Sequence, residues 1–170
     1  MTPVTKYWTC KIAPALVAEA MECLGGNGYV EDTPLARIYR EVPVNSIWEG
    51  SGNVMALDVL RVLQREPDVV ELVMDELAEA AAGDPHLEAG VARLQAVLHD
   101  PRHLDLRVRT LVEGLAQVAS GTILRAHAPA AVADAFIATR LGAMARQTYG
   151  LGLDWADTRA ILARASPSRP

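Results

Sequence analysis

Aromatic side chains are scarce in this chain: 5% of its 170 residues are Phe, Tyr or Trp, and Phe136 is the only phenylalanine. Packing must therefore rest on Leu, Val, Ala and Ile, and an abundance of Ala and Leu with few β-branched runs favours helix over sheet. Cysteine is almost missing as well. Cys10 and Cys23 alone are too few for a disulfide framework and match no metal spacing, which suits a reducing cytosol. No stretch reaches the roughly 18 apolar residues that span a bilayer. Met1 is followed by polar residues and Lys6 rather than by an apolar signal core, so a cytoplasmic location with no membrane insertion is expected. Positive charge is not in excess either: 16 Lys and Arg against 21 Asp and Glu leave a net charge of −5. That balance argues against a general affinity for nucleic acid, although it leaves room for a local patch. Walker, zinc and Ser-His-Asp patterns are absent, and His86, His99, His103 and His127 share no ligand spacing.

What is present is apolar and helical. Hydrophobic residues make up 51% of the chain, enough for one domain with a real core. Apolar residues at helical spacing between Gly and Pro turns predict helices near 5–24, 34–41, 51–65, 68–82, 86–99, 104–125 and 129–149, with no sheet. Pro14 is expected to kink or restart the first of these, Pro43 to close the second, and Gly114 and Gly121 to be weak points in the long helix. Gly150-Leu151-Gly152 ends the seventh, and Asp157 or Thr158 caps a last turn to Arg164. Short turns between helices make neighbours antiparallel. The fold class expected is an all-α antiparallel bundle, divided as residues 1–66, an additional bundle over 67–165, and a frayed tail at 166–170, all in one compact unit.

Two glycine-rich corners interrupt the helices. Leu24-Gly25-Gly26-Asn27-Gly28-Tyr29-Val30 forms the first; Asn45-Ser46-Ile47-Trp48-Glu49-Gly50-Ser51-Gly52-Asn53 forms the second. Glycines without a Cβ let backbone N–H groups approach a bulky anion such as a pyrophosphate; a plain helix stop explains them equally well. Glu49 is a lone carboxylate among apolar neighbours. It suits proton abstraction next to a carbonyl if it is desolvated and within hydrogen-bond reach of the carbon acid, and Ile47 and Trp48 are placed to desolvate it. The plainer alternative is a charge stabilising a helix N-terminus, worth about 0.3–1 kcal/mol. Ser51 has the ordinary task of capping its helix, and Arg37 and Arg61 that of solvated helix charges.

The order and spacing of Gly25-Gly26-Asn27-Gly28-Tyr29-Val30-Glu31, Leu35-Ala36-Arg37-Ile38-Tyr39-Arg40-Glu41 and Pro43 to Met55 resemble the C-terminal signature of the acyl-CoA dehydrogenase family. From about Lys11 to Arg61 the match is to its alkylation-response (AidB-like) branch, which carries extra helices after the shared domain. The resemblance implies an FAD-dependent oxidoreductase acting on an acyl-CoA thioester, with Glu49 at the position of the catalytic base. It places Ser51 and Asn53 toward the adenine side of the flavin. Gly25 and Gly26 fall in the segment that helps hold the FAD of a neighbouring subunit in a homo-oligomer. The family usually has Gln where this chain has Glu22, and a carboxylate lacks the amide's donor; weak FAD binding by this chain alone is the expectation. Arg40-Glu41 matches an Arg-acid pair that is structural.

Complete members of the family add an N-terminal helical domain and a middle β-domain, so the missing domains or a partner chain are expected to supply the rest of the active site. Two other readings stay open. One is a DNA-associated alkylation-response protein, for which Arg61 and Arg140, with Arg107, Arg109, Arg125, Arg146, Arg159 and Arg164, are the candidate contacts. The other is a non-catalytic helical remnant serving as an interaction module.

Overall fold

Apolar residues recurring every third or fourth position between Gly and Pro turns produce helices throughout, and the described residues contain no strand. The structure, a computed structural model, describes residues 1–100, 102, 104–142 and 156–166. Its helices are α1 (Thr2–Cys23), α2 (Gly26–Tyr29), α3 (Pro34–Asn45), α4 (Gly52–Arg65), α5 (Pro67–Ala81), α6 (Pro85–His99), α7 (Leu104–His127), α8 (Ala130–Leu141) and α9 (Thr158–Ala165). The all-α expectation is met. The helix expected over 129–149 ends earlier, at Leu141, where Gly142 leaves the helix in extended backbone; Tyr149, the Gly150-Leu151-Gly152 stop, His103 and Arg146 lie outside the described residues. Asp157 does cap α9, accepting from the Ala160 N–H at 3.0 Å.

Several local features differ from expectation. α1 begins at Thr2 rather than Thr5 because Pro3 sits in its first turn, where a missing N–H costs nothing. Pro14 does not restart α1, which is assigned as one helix through it; the carbonyl it orphans finds another donor in the Ser46 hydroxyl. Pro43 does not close α3, which runs two residues further to Asn45. The first glycine corner holds a single helical turn, α2, where a plain turn was expected.

The chain divides into two units. Unit 1 comprises residues 1–70 and 100–116. Within it α1 lies against α3 and α4, with α2 closing on the C-terminal part of α1. Its core is built from Val4, Tyr7, Ala36, Val42, Ala56, Val59, Val108, Leu111 and Val112. Each fully buried aliphatic side chain contributes about 1.5–3 kcal/mol. Tyr7 is buried, and its hydroxyl accepts from Arg109 Nε at 3.1 Å, so the one polar atom it takes inside is satisfied.

Unit 2 comprises residues 71–99 and 117–170. α6 packs on α8, and α8 on α9, around Leu87, Val91, Leu94, Val118, Ile137 and Leu141. Gly121 lies within an unbroken α7, and a Cβ there would come within 2.7 Å of Leu87 Cδ2, so the bare backbone leaves room for that side chain. Asp84 caps α6 by accepting from the N–H groups of His86 and Leu87 at 3.0 and 3.2 Å. Arg125 donates to Asp84 and to Asp134, each at 2.6 Å.

Candidate functional site

The second corner joins α3 to α4, and α1 holds it. A proline at position 14 has no N–H for the carbonyl of Cys10, four residues back. The Ser46 hydroxyl takes that place, donating to the Cys10 carbonyl oxygen at 2.9 Å. One turn earlier on α1, the Lys6 ammonium donates to three carbonyls of the corner: Asn45 at 3.1 Å, Trp48 at 3.0 Å and Gly50 at 2.7 Å. An ammonium has three N–H donors; here all three are used.

Glu49 lies between two of those acceptors. Its φ is +51°, and it is the only non-glycine residue with a positive φ in the chain's described residues. A left-handed conformation costs a side-chain-bearing residue roughly 1–2 kcal/mol, so the corner holds Glu49 against its backbone preference. Gly50 follows at φ +108°, and a Cβ there would overlap the Met55 methyl. The φ favours glycine; the Met55 methyl is the end of a flexible side chain and can move aside. The Glu49 side chain is exposed. Ile47 and Trp48 do not cover it, being 68% and 62% exposed themselves. The desolvation expected of them does not arise within the described residues.

Ser51 occupies the N-cap position of α4 in extended backbone, yet its side chain makes no cap hydrogen bond. The capping role expected of it is therefore not observed. Its hydroxyl and the first N–H groups of α4 form a donor set suited to an anion, and Asn53 is exposed one residue into the helix. The Lys11 stem crosses Gly52, where a Cβ would fall 2.7 Å from Lys11 Cε.

The first corner is built differently. Gly25 has φ +58° and its N–H closes on the Glu22 carbonyl at 3.0 Å, ending α1 as expected. Gly28 is buried, and a Cβ there would overlap the Met21 carbonyl oxygen, so α2 meets the α1 backbone directly. Gly26 faces open space. Glu22 and Gly25 line an open cleft of 590 Å³ with Ala18, Met21, Tyr29 and Tyr39. The carboxylate of Glu22 offers this cleft acceptors only, which fits hydroxyl or amine donors better than a phosphate.

The two corners are not brought together. Lys6 and Glu22 lie near opposite ends of α1, a span of about 24 Å at roughly 1.5 Å per residue. One small ligand group does not touch both. Arg40 pairs with Glu31, at 2.6 and 3.0 Å, and not with the adjacent Glu41; that hydrogen bond holds the Glu31 carboxyl below its usual range.

Four of the arginines considered for nucleic acid are engaged within the chain, while Arg159 and Arg164 are exposed on α9. Arg61 pairs with Asp58, Arg107 with Asp100 and Arg125 with two aspartates, while Arg109 lies on Tyr7. Arg140 is half-buried on α8. Sequence reasoning missed Lys6 and Ser46. The chain has fourteen arginines and only two lysines, Lys6 and Lys11, and that restriction of lysine to one helix was the signal available.

Comparison with known proteins places these corners in a family. The family described as "Acyl-CoA dehydrogenase, C-terminal domain" matches residues 1–64. AidB of Escherichia coli (strain K12) is 51% identical over 100 residues, covering 59% of this chain and 18% of that protein. "Acyl-CoA dehydrogenase family member 11" of Caenorhabditis elegans is 32% identical over 146 residues, covering 79% of this chain and 24% of its own length. The crystal structure of C. elegans ACDH-11 in complex with C11-CoA superimposes with a TM-score of 0.65 at 28% identity, covering 96% of this chain and 31% of that one. The chain thus spans about a fifth to a quarter of the length of these curated relatives. The chain belongs to the acyl-CoA dehydrogenase family, and the part that carries the membership, residues 1–64, is a C-terminal domain of that family.

Proposed function

We propose that this chain is the C-terminal part of an FAD-dependent acyl-CoA dehydrogenase-like oxidoreductase in which Glu49 is the catalytic base. The observation that carries the reading is the second corner itself. A carboxylate is held at positive φ, exposed, immediately before a helix N-terminus whose Ser51 hydroxyl is left uncapped. A solvated helix-end charge needs none of that backbone constraint.

FAD, when bound, supplies the hydride acceptor for the β-carbon of the thioester. Ser51 and Asn53 would lie toward its adenine side, and the segment at Glu22, Gly25 and Gly26 would help hold the FAD of a neighbouring subunit in a homo-oligomer. The separation of the corners along α1 supports two ligands rather than one. Glu49 removes the α-proton of the acyl-CoA. The water exclusion that makes it basic comes from a surface laid over Ile47 and Trp48, contributed by the N-terminal and β-domains of the same polypeptide or by a partner chain. On this reading residues 1–66 carry the site and residues 67–165 are an appended helical bundle.

A DNA-associated role gains no support from Arg61, Arg107 and Arg125, which already face carboxylates; Arg159 and Arg164 are exposed on α9. No helix among the described residues is long and apolar enough to cross a membrane. The test is flavin bleaching by acyl-CoA in the protein assembled with those completing domains. Bleaching that disappears in Glu49→Gln, with flavin content unchanged, supports the reading; bleaching that persists refutes it.

A further inference from the structure

We infer that Lys6 is a positioning residue for Glu49, holding the carboxylate in place by clamping the carbonyls on either side of it. The assignment deepens the proposed function and rests on Glu49 being the base.

Three observations converge. The Trp48 carbonyl belongs to the peptide that enters Glu49, and the Gly50 carbonyl to the peptide that follows Gly50; Lys6 Nζ binds both, at 3.0 and 2.7 Å, and Asn45 at 3.1 Å. Glu49 has the only positive φ of any non-glycine described residue, so without an external constraint its backbone relaxes toward negative φ. The residue type is chosen against the chain's habit. With fourteen arginines and two lysines in the chain, an ammonium stands where three carbonyls converge. Three independently directed donors on one tetrahedral nitrogen match three convergent acceptors; a planar guanidinium does not. The α1 backbone around Cys10 adds the Ser46 contact, but that bond lies on the α3 side of the corner and leaves the Trp48–Gly50 segment to Lys6.

The contribution to chemistry is geometric. A displacement of about 1 Å between base and carbon acid costs roughly 10²-fold in rate. Lys6 itself does not touch the thioester in this assignment.

Two measurements test it, on Lys6→Met, which keeps the stem, and Lys6→Arg, which keeps the charge. The first is amide hydrogen exchange on the 170-residue chain, a readout independent of flavin and substrate. In Lys6→Met, exchange at Ile47 and Trp48, whose N–H groups bond to the Val44 carbonyl, should rise at least about tenfold, with unit 2 amides such as Val118 and Ile137 unchanged. Lys6→Arg should fall between the two. The second is the limiting rate of thioester-dependent flavin reduction in the assembled flavoprotein. It should drop roughly 10²-fold in Lys6→Met, with flavin content, half-saturating acyl-CoA concentration and the pH midpoint all unchanged, and recover in part in Lys6→Arg.

Unchanged exchange at Ile47 and Trp48 in Lys6→Met overturns the assignment. So does raised exchange with a parental limiting rate, or Lys6→Arg matching the parent in both measurements. If Lys6→Met loses protection throughout the chain, Lys6→Arg decides alone: faster exchange confined to residues 46–49 supports the assignment and parental exchange overturns it. A parent that never bleaches ends the reading of Glu49 as base, while the exchange arm still decides whether Lys6 holds the corner.

Discussion

The Ser46 hydroxyl donates to the carbonyl of Cys10, the oxygen that Pro14 leaves without a helical partner. A proline inside a helix normally costs about 3 kcal/mol or more, and part of that cost is the orphaned acceptor. Here the orphan becomes the anchor of another segment. The break in the α1 hydrogen-bond ladder and the placement of the Glu49 corner are one feature.

That coupling is measurable. Ser46→Ala strands a half-buried carbonyl and should destabilise unit 1 by about 1–2 kcal/mol. Pro14→Ala returns an N–H to Cys10, so adding Ser46→Ala to it should cost little. A double-mutant cycle by urea denaturation should give a coupling energy of about 1 kcal/mol; strict additivity would show the two residues to be independent.

The three glycines of the first corner have separate reasons and should respond separately. Gly28→Ala drives a Cβ into the Met21 backbone, which cannot yield as a side chain does, and should cost about 1–3 kcal/mol. Gly25→Ala meets no atom but keeps φ +58°, and should cost about 1 kcal/mol. Gly26→Ala meets neither obstacle and should be neutral or stabilising by up to about 1 kcal/mol. Thermal unfolding of the three variants checks the ranking; a Gly26→Ala as damaging as Gly28→Ala would contradict it.

The helices were legible because their signals are local. Apolar spacing, Pro at a first turn and Gly at an end each act within a few residues, and so α4 to α7 were recognisable before any packing was known. α3 runs past Pro43 and α1 past Pro14, and for α1 the reason is one that no local signal carries. Whether a helix continues through a proline depends on whether a distant donor, such as Ser46, satisfies the carbonyl that the proline strands. The site divides the same way. Glu49 and the glycines stand in a recognisable order along the chain. Lys6 lies about forty residues earlier and becomes part of the corner only through folding. The surface that covers Ile47 and Trp48 was equally hidden, since the order of apolar residues along the chain does not name it.

Unit 2 has its own pH signature. Burial alone would raise the Asp84 carboxyl, but hydrogen bonds from Arg125 and from the Leu87 and His86 amides outweigh it and hold the group below its ordinary range. The folded carboxyl therefore binds protons less readily than the unfolded one, whose value is about 3.9. The stability it contributes is present above that value and is lost as pH falls through the lower, folded one. Asp84→Asn keeps a capping oxygen but removes the charge. It should lower stability at neutral pH by about 1 kcal/mol and flatten the acid limb below about pH 4. A denaturation series from neutral to acid pH reads both effects; an acid limb as steep in the variant as in the parent would assign it to other groups.

The most direct test of the central claim follows flavin absorbance after mixing acyl-CoA with the assembled flavoprotein, parent against Glu49→Gln and Ser51→Ala. Glu49→Gln keeps the shape and removes the basic oxygen. It should retain flavin and bleach at least about 10²–10⁴-fold more slowly. Ser51→Ala should weaken flavin retention and leave the bleaching rate of the bound fraction nearly parental. A Glu49→Gln variant that bleaches as fast as the parent would contradict the account and return Glu49 to the role of a charge at the start of α4.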